Sequence, residues 1–351
     1  MEFLYEYGLF LAKTITFVLA VIAILVAITA TAIKQKHKKG ELEITDLSEH
    51  FEEVEDDIIH SLLSKEQLKA KEKKDKKLAK EKAKAEKKAL SDGKNDEQTS
   101  EDKKLFVLDF NGSIDAKEVS SLREEISALL MVANDNDEVF LRLESGGGMV
   151  HGYGLAASQL DRIRQNNIPL TISVDKVAAS GGYMMACVAD KIISAPFAIL
   201  GSIGVIAQLP NFHKLLKKHD VDYEQFTAGE FKRTVTMFGE NTEKGREKFI
   251  EELEETHVLF KNYVSERRPS LDVEKVATGE HWFGTTALEL GLVDEIMTSD
   301  DYLVNANKTR KVVAIKYVMH KSLTEKLSKA VSLTLENTIG KLWQSNRIFP
   351  S

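Results

Sequence analysis

A single cysteine, Cys187, stands in a chain of 351 residues. Its isolation excludes an intrachain disulfide and a cysteine-built zinc cluster. Its setting, Met184-Met185-Ala186-Cys187-Val188, fits a small buried apolar residue. A Gly-Lys-Ser/Thr phosphate loop is also missing, and neither the histidines nor the carboxylates fall at metal-ligand spacing. No metal and no cofactor is therefore expected. The net charge of −7 conceals local balances of opposite sign and carries no signature of a nucleic-acid partner. What the chain does have is apolar content of 43 %, enough for one large domain or two small ones.

One long apolar run, Thr14 to Ile33, contains no charged residue. At ~1.5 Å per residue it reaches about 30 Å, the thickness of a bilayer's hydrocarbon core. We read residues 14–33 as a transmembrane anchor in contact with the lipid bilayer, after a flank at 1–13. Glu2 and Glu6, with only Lys13, precede the run, so an uncleaved anchor is read in preference to a signal peptide cut after Ala30-Thr31-Ala32. Lys34, Lys36, Lys38 and Lys39 follow it, and the positive-inside rule then places the remainder in the cytoplasm. Residues 34–104 change character, with acids around Glu49 to Asp57 and a lysine-rich run from Lys65 to Lys88. They read as a charged spacer, with a polybasic stretch lying on anionic lipid as the competing reading.

From Leu105 a strand-then-helix alternation begins, and residues 105–300 read as an α/β domain with parallel strands. Strands are expected at Leu105–Phe110, Val139–Leu143, Leu170–Val174 and Lys191–Ser194. Helices are expected at Asp115–Ala133, Tyr153–Arg164, Gly182–Ala189 and Lys244–Arg268, the last turning Phe249, Leu253, Val258, Leu259 and Tyr263 to a packed side. A short helix is expected within Trp282–Val293, a last strand at Lys311–Val318, and an amphipathic helix over Ser322–Trp343 in the C-terminal portion, 301–351.

Two glycine turns interrupt this pattern, Ser145-Gly146-Gly147-Gly148 and Ala179-Ser180-Gly181-Gly182. Each follows a strand and precedes a helix, at the carboxyl ends where α/β sheets bind ligands. Ser180 alone would be an ordinary helix N-cap. The glycines after it let backbone approach a substrate carbonyl and offer N–H groups to an oxyanion, with a second donor available from the Ser145–Gly148 turn. A serine hydroxyl needs a base, usually histidine and sometimes lysine. Lys232, in Gly229-Glu230-Phe231-Lys232, has a largely uncharged neighbourhood, though composition alone makes it a solvated surface charge. His151, His213, His219, His257 and His281 stay open as alternatives.

These residues are familiar in combination. Leu141 to Gly154, Val174 to Tyr183, Gly201-Ser202-Ile203-Gly204-Val205 and Leu288 to Asp294 resemble the signal peptide peptidase A family, most closely its SohB branch of bacterial inner-membrane proteases. The resemblance implies a crotonase- or Clp-protease-like fold and a membrane-anchored serine endopeptidase with a Ser/Lys dyad. Ser180 would be the nucleophile, Lys232 the base, the N–H groups of Gly148 and Gly181 the oxyanion donors, and Ser202 the residue orienting the lysine. It further implies peptide substrates, such as signal-peptide remnants or unfolded segments, and a homo-oligomer whose neighbours help shape the site. The family's best-known members hold their catalytic domain outside the cytoplasm, opposite to the charge rule. One departure stands out: the family's first turn reads Ser-Pro-Gly-Gly, and here Gly146 occupies the proline position. A catalytically silent, membrane-bound peptide scaffold is the alternative that this departure motivates.

Overall fold

A computed structural model describes residues 7–18, 40–64, 66–68 and 103–319, with isolated positions at 71, 73, 77 and 80. The chain divides into two units, Met1–Leu42 with Tyr317–Ser351, and Glu43–Lys316. In the first, residues 7–18 are helical, and the Thr14 and Thr16 hydroxyls donate to the Phe10 and Ala12 carbonyls. Among the described residues no helix is long and apolar enough to cross a membrane. Residues 19–33 of the expected anchor lie outside the described residues, as does the helix expected over Ser322–Trp343.

The second unit is built on a seven-stranded sheet. Its strands are β1 (Glu41–Asp46), β2 (Lys104–Asn111), β3 (Glu138–Glu144), β4 (Leu170–Val174), β6 (Lys191–Ser194), β9 (Glu295–Ile296) and β10 (Lys311–Val318), in the order β1-β10-β2-β3-β4-β6-β9. From β10 to β9 every pairing is parallel. Near-continuous apolar strands such as Leu105–Phe110 are what a sheet covered on both faces requires. Side-chain alternation sorts them. Phe106, Leu108 and Phe110 join one core with Leu141 and Ile172, while Leu105 and Val107 join another with Phe140 and Leu303.

The larger core is roofed by α2 (Val119–Leu129), α3 (Val150–Gln165) and α4 (Gly181–Ala186). Within it Cys187 is fully buried, and burial pushes its thiol up to about 12, in keeping with a packing role. The smaller core is covered by α9 (Ser299–Asn307) and α1 (Leu47–Leu62). A second, three-stranded sheet holds β5 (Val177–Ala179), β7 (Ile199–Gly201) and β8 (His281–Phe283). The remaining helices are α5 (His213–Lys218), α6 (Glu243–Arg267), α7 (Val273–Val276) and α8 (Gly284–Glu289).

Several elements differ from the sequence reading. Glu41–Leu62, expected inside the spacer, forms β1 and α1 instead. Asp46 caps α1 by accepting from the Ser48 and Glu49 N–H groups, and it pairs with Lys311 at 2.7 Å. No residue of α1 is fully buried; Leu47 and Phe51 cover the sheet only partly, so its acidic surface hides the docking. Helix α6 is helical as expected, but its buried positions are Phe260 and Val264, and Val258 and Leu259 point to solvent.

The carboxyl end of α6 is tied to the sheet by one buried cation. Arg268 donates to both carboxylate oxygens of Asp294, at 2.9 and 2.7 Å, and to the Gly291 carbonyl at 3.0 Å. Asp294 also accepts the Ile192 N–H at 2.7 Å. Burial alone would raise the Asp294 carboxyl, but the hydrogen bonds from Arg268 and Ile192 outweigh it and hold it below its usual range. A depressed carboxylate contributes stability that is present at neutral pH and lost as pH falls through its folded value. Arg268→Ala should therefore cost about 1–2 kcal/mol in urea unfolding at neutral pH, since Asp294 is exposed and water takes over part of the lost pairing. The gap to wild type should narrow in acid as Asp294 protonates; an unchanged gap would place the effect in lost packing.

Candidate active site

Strand β5 is three residues long and positions the site. Ser145, at the end of β3, bridges Ala178 in parallel: the Ser145 N–H donates to the Val177 carbonyl at 2.8 Å, and the Ala179 N–H to the Ser145 carbonyl at 3.0 Å. On its other side β5 pairs in parallel with β7, with Ala179 opposite Gly201, and the Ser180 N–H donates to the Gly201 carbonyl at 2.8 Å. β7 in turn runs antiparallel to β8, and the Ser202 N–H donates to the Glu280 carbonyl at 2.6 Å. These registers bring the first glycine turn, Ser180 and Ser202 side by side, although 57 residues separate Ser145 from Ser202 (202 − 145).

Ser180 opens α4 with φ +53° and ψ −120°, a conformation that L-residues rarely hold. It stands where an N-cap would, yet its hydroxyl makes no capping bond. The hydroxyl is left available at the cleft that Ser180 lines. Among the described residues, the N–H groups of Gly148 and Gly181 have no backbone acceptor. Two unspent donors beside an unspent hydroxyl are what a tetrahedral oxyanion needs.

The glycines are required by packing. Gly147 has φ +84°, and a Cβ there would meet the Gly181 nitrogen and the Ser180 Cβ, each at 2.7 Å. A Cβ on Gly148 would strike the Ile114 carbonyl, one on Gly181 the Tyr153 ring, and one on Gly182 the Ser145 carbonyl. Gly146 differs, with open space around it. Beneath the turns, the Gly147 N–H donates to Ser145 Oγ at 3.0 Å, Ser145 Oγ lies 2.5 Å from the Tyr153 hydroxyl, and Tyr153 donates to the Ser113 carbonyl at 2.8 Å.

An open cleft of about 590 Å³ joins Gly148, Ser180, Ser202, Gly204, His257 and Gly279. A much smaller pocket of about 20 Å³ leads off Ser180, with apolar walls at Val150, Met184, Val205 and Phe260. Of the residues expected at the site, Ser180, Ser202, Gly148 and Gly181 converge here. Lys232 does not. It is exposed, donates its backbone N–H to the Gly229 carbonyl at 3.2 Å, and lines a separate cavity of about 690 Å³ with Leu209, Tyr223 and Phe226. Among the histidines, His257 on α6 borders the Ser180 cleft, and its Nε2 is buried without a partner. His257, Tyr153 and Ser145 carried no distinct signal in the sequence beyond their place in or near the motifs.

The pattern described as peptidase family S49 N-terminal matches residues 2–160, and that described as peptidase family S49 matches residues 162–313. A protein of Haemophilus influenzae called probable protease SohB is 56 % identical over 96 % of this chain and 96 % of its own. The chain belongs to peptidase family S49. A probable protease SohB of Buchnera aphidicola is 52 % identical over 98 % of both chains, and Protease 4 of Haemophilus influenzae is 28 % identical over 60 % of this chain and 35 % of its own.

In this S49 chain the two turns make separable demands. Gly146→Ala should leave unfolding free energy within about 0.5 kcal/mol of wild type. Gly147→Ala and Gly148→Ala should each cost about 1–3 kcal/mol, by positive φ and by collision with backbone respectively. Equal effects at all three positions in denaturant titrations would refute the packing account. Ser180→Gly should stabilise the fold by about 1 kcal/mol, since glycine tolerates the positive φ that serine holds under strain. A midpoint at or below that of wild type would show the turn to be unstrained.

Proposed function

We propose that this S49 chain is a serine endopeptidase of the bacterial inner membrane, anchored by residues 14–33 and acting through a Ser180/Lys232 dyad. The observation that carries the reading is the uncapped Ser180 hydroxyl on a strained turn, beside the unspent N–H groups of Gly148 and Gly181. Ser180 Oγ attacks the scissile carbonyl and gives its proton to the neutral Lys232 amine. The two N–H groups hold the resulting oxyanion. Collapse expels the amine product, which takes the proton from Lys232, and leaves an acyl-enzyme on Ser180. Water, deprotonated by the same lysine, then releases the acid product. Ser202, whose hydroxyl shares the cleft, orients the lysine amine.

Lys232 lies outside that cleft in the single chain, and the segment carrying it is rich in exposed apolar side chains, among them Ile206, Leu215, Phe226 and Phe231. Such a surface calls for a covering partner. In the proposed homo-oligomer a neighbouring copy covers it, and Lys232 of one copy serves Ser180 of the next. The small apolar pocket beside Ser180 suits a methyl-sized side chain at the cut, in keeping with unfolded or membrane-derived peptide substrates.

Ser180→Ala and Lys232→Ala should each lower hydrolysis of an unstructured apolar peptide by at least about 10³-fold while circular dichroism remains that of the wild type. Co-assembly of the two inactive variants should restore part of the activity, because mixed neighbours pair an intact serine with an intact lysine. No restoration would assign Lys232 to its own copy's serine. Unimpaired Ser180→Ala would end the nucleophile assignment.

A further inference from the structure

We propose that the Tyr153 hydroxyl is a positioning residue for the oxyanion turn, supplying the rigidity that Gly146 removes from the backbone. This rests on the reading of Ser180 as nucleophile and Gly148 as oxyanion donor.

Tyr153 is fully buried on α3, and its phenol joins Ser113, which follows β2, to Ser145, which follows β3. The proton count fixes the direction of the bonds. A phenol has one proton, and that of Tyr153 goes to the Ser113 carbonyl. Ser145 must then donate to the Tyr153 oxygen, and its own oxygen is free to accept the Gly147 N–H. The chain of bonds therefore runs from Gly147 through Ser145 and Tyr153 to Ser113, with each donor used once. Burial raises the phenol's pKa, so it remains a donor wherever the peptide bond is cleaved near neutrality.

Both ends of this chain touch the proposed oxyanion site. Gly147 holds φ +84° and directly precedes the Gly148 N–H, so whatever fixes Gly147 aims that donor. At the other end, the segment after Ser113 seats Gly148: the Ile114 carbonyl lies where a Gly148 side chain would go and accepts the Met149 N–H at 2.8 Å. The Tyr153 ring, meanwhile, is the surface against which Gly181, the second donor, is packed. One side chain thus registers both donors against each other.

Gly146 is the weak point of the same turn. Its N–H has no backbone acceptor among the described residues, and no atom lies within 4 Å of where its side chain would stand. The preceding residue, Ser145, is bridged in an extended strand arrangement, which suits a following proline. Proline at 146 would stiffen the turn with no bond lost, so backbone rigidity and the Tyr153 bond are two routes to one geometry.

The test is a double-mutant cycle on full-length, detergent-solubilised protein with an unstructured apolar peptide as substrate, Ser180→Ala serving as the blank. Tyr153→Phe keeps the ring and removes the bond; it should lower kcat by about tenfold or more with KM changed less than about twofold. Gly146→Pro in the Tyr153→Phe background should raise kcat by a clearly larger factor than it changes that of the wild type. Ser145→Ala, which cuts the same chain at its other end, should reproduce the kcat loss and add little to Tyr153→Phe. It also takes the place of Tyr153→Phe should that variant not fold. Unchanged kcat in Tyr153→Phe, a loss confined to KM, or no preferential rescue by proline would overturn the inference. An inactive wild type would instead overturn the peptidase reading on which it rests.

Discussion

The site depends on a strand of three residues. β5 is held from one side by Ser145 and from the other by β7, and the bonds that hold it are all between backbone groups. Because Ala179 lies opposite Gly201, the residue after each strand meets the other, and Ser180 and Ser202 become neighbours whatever the intervening chain does. Ladder bonds also hold the positive φ of Ser180 in place, since its own N–H is spent on Gly201. Strain of this kind persists only where surrounding structure overdetermines it. Here the surroundings are two sheets and the buried face of α3.

The rest of the unit keeps that junction in place. The parallel sheet is covered on both faces, and its ladders set the point at which β3 releases the chain into the first glycine turn, as the small sheet does for β5 and the second. Two charged clusters join elements end to end. Arg268 and Asp294 link α6 to β6 and β9, and Glu138 gathers Thr171, Tyr302 and Arg310 at the start of β3. Each of these carboxylates accepts several donors, and for Glu138, which is buried, that is the condition under which its charge is tolerated.

Much of this was legible in the sequence, for identifiable reasons. The strands β2, β3, β4 and β6 and their helices declare themselves through continuous apolar runs followed by helical spacing, and the glycine turns announce the carboxyl end of the sheet. Short strands did not. β5, β7 and β8 have three residues each, too few for a period to register, and they exist because neighbouring backbone pairs with them. β1 and α1 were hidden by acidic residues on an element that buries only its edge. On α6 the expected stripe was rotated, because α6 meets the core only through its later turns. The grouping of Ser180, Ser202, Gly148 and Gly181 around one cleft was readable through motif. The bonds of Tyr153 beneath the turns were not, since hydrogen bonding between a phenol, a serine and a distant carbonyl leaves no periodic trace. Nor was the separation of Lys232 from the Ser180 cleft, which depends on the path of a loop.

Among the described residues, the walls of the Ser180 cleft contain no lysine, arginine, aspartate or glutamate; they are glycines, small hydroxyls, aliphatic side chains and one histidine. Peptide dipoles are therefore the local source of positive potential, and their orientation is set by covalent geometry and hydrogen bonding. Added salt screens exposed side-chain charge far more than it alters dipoles fixed by the backbone. Ionic strength then acts on this protein chiefly through its charged surfaces, while the polarity of the Ser180 cleft is built into the backbone.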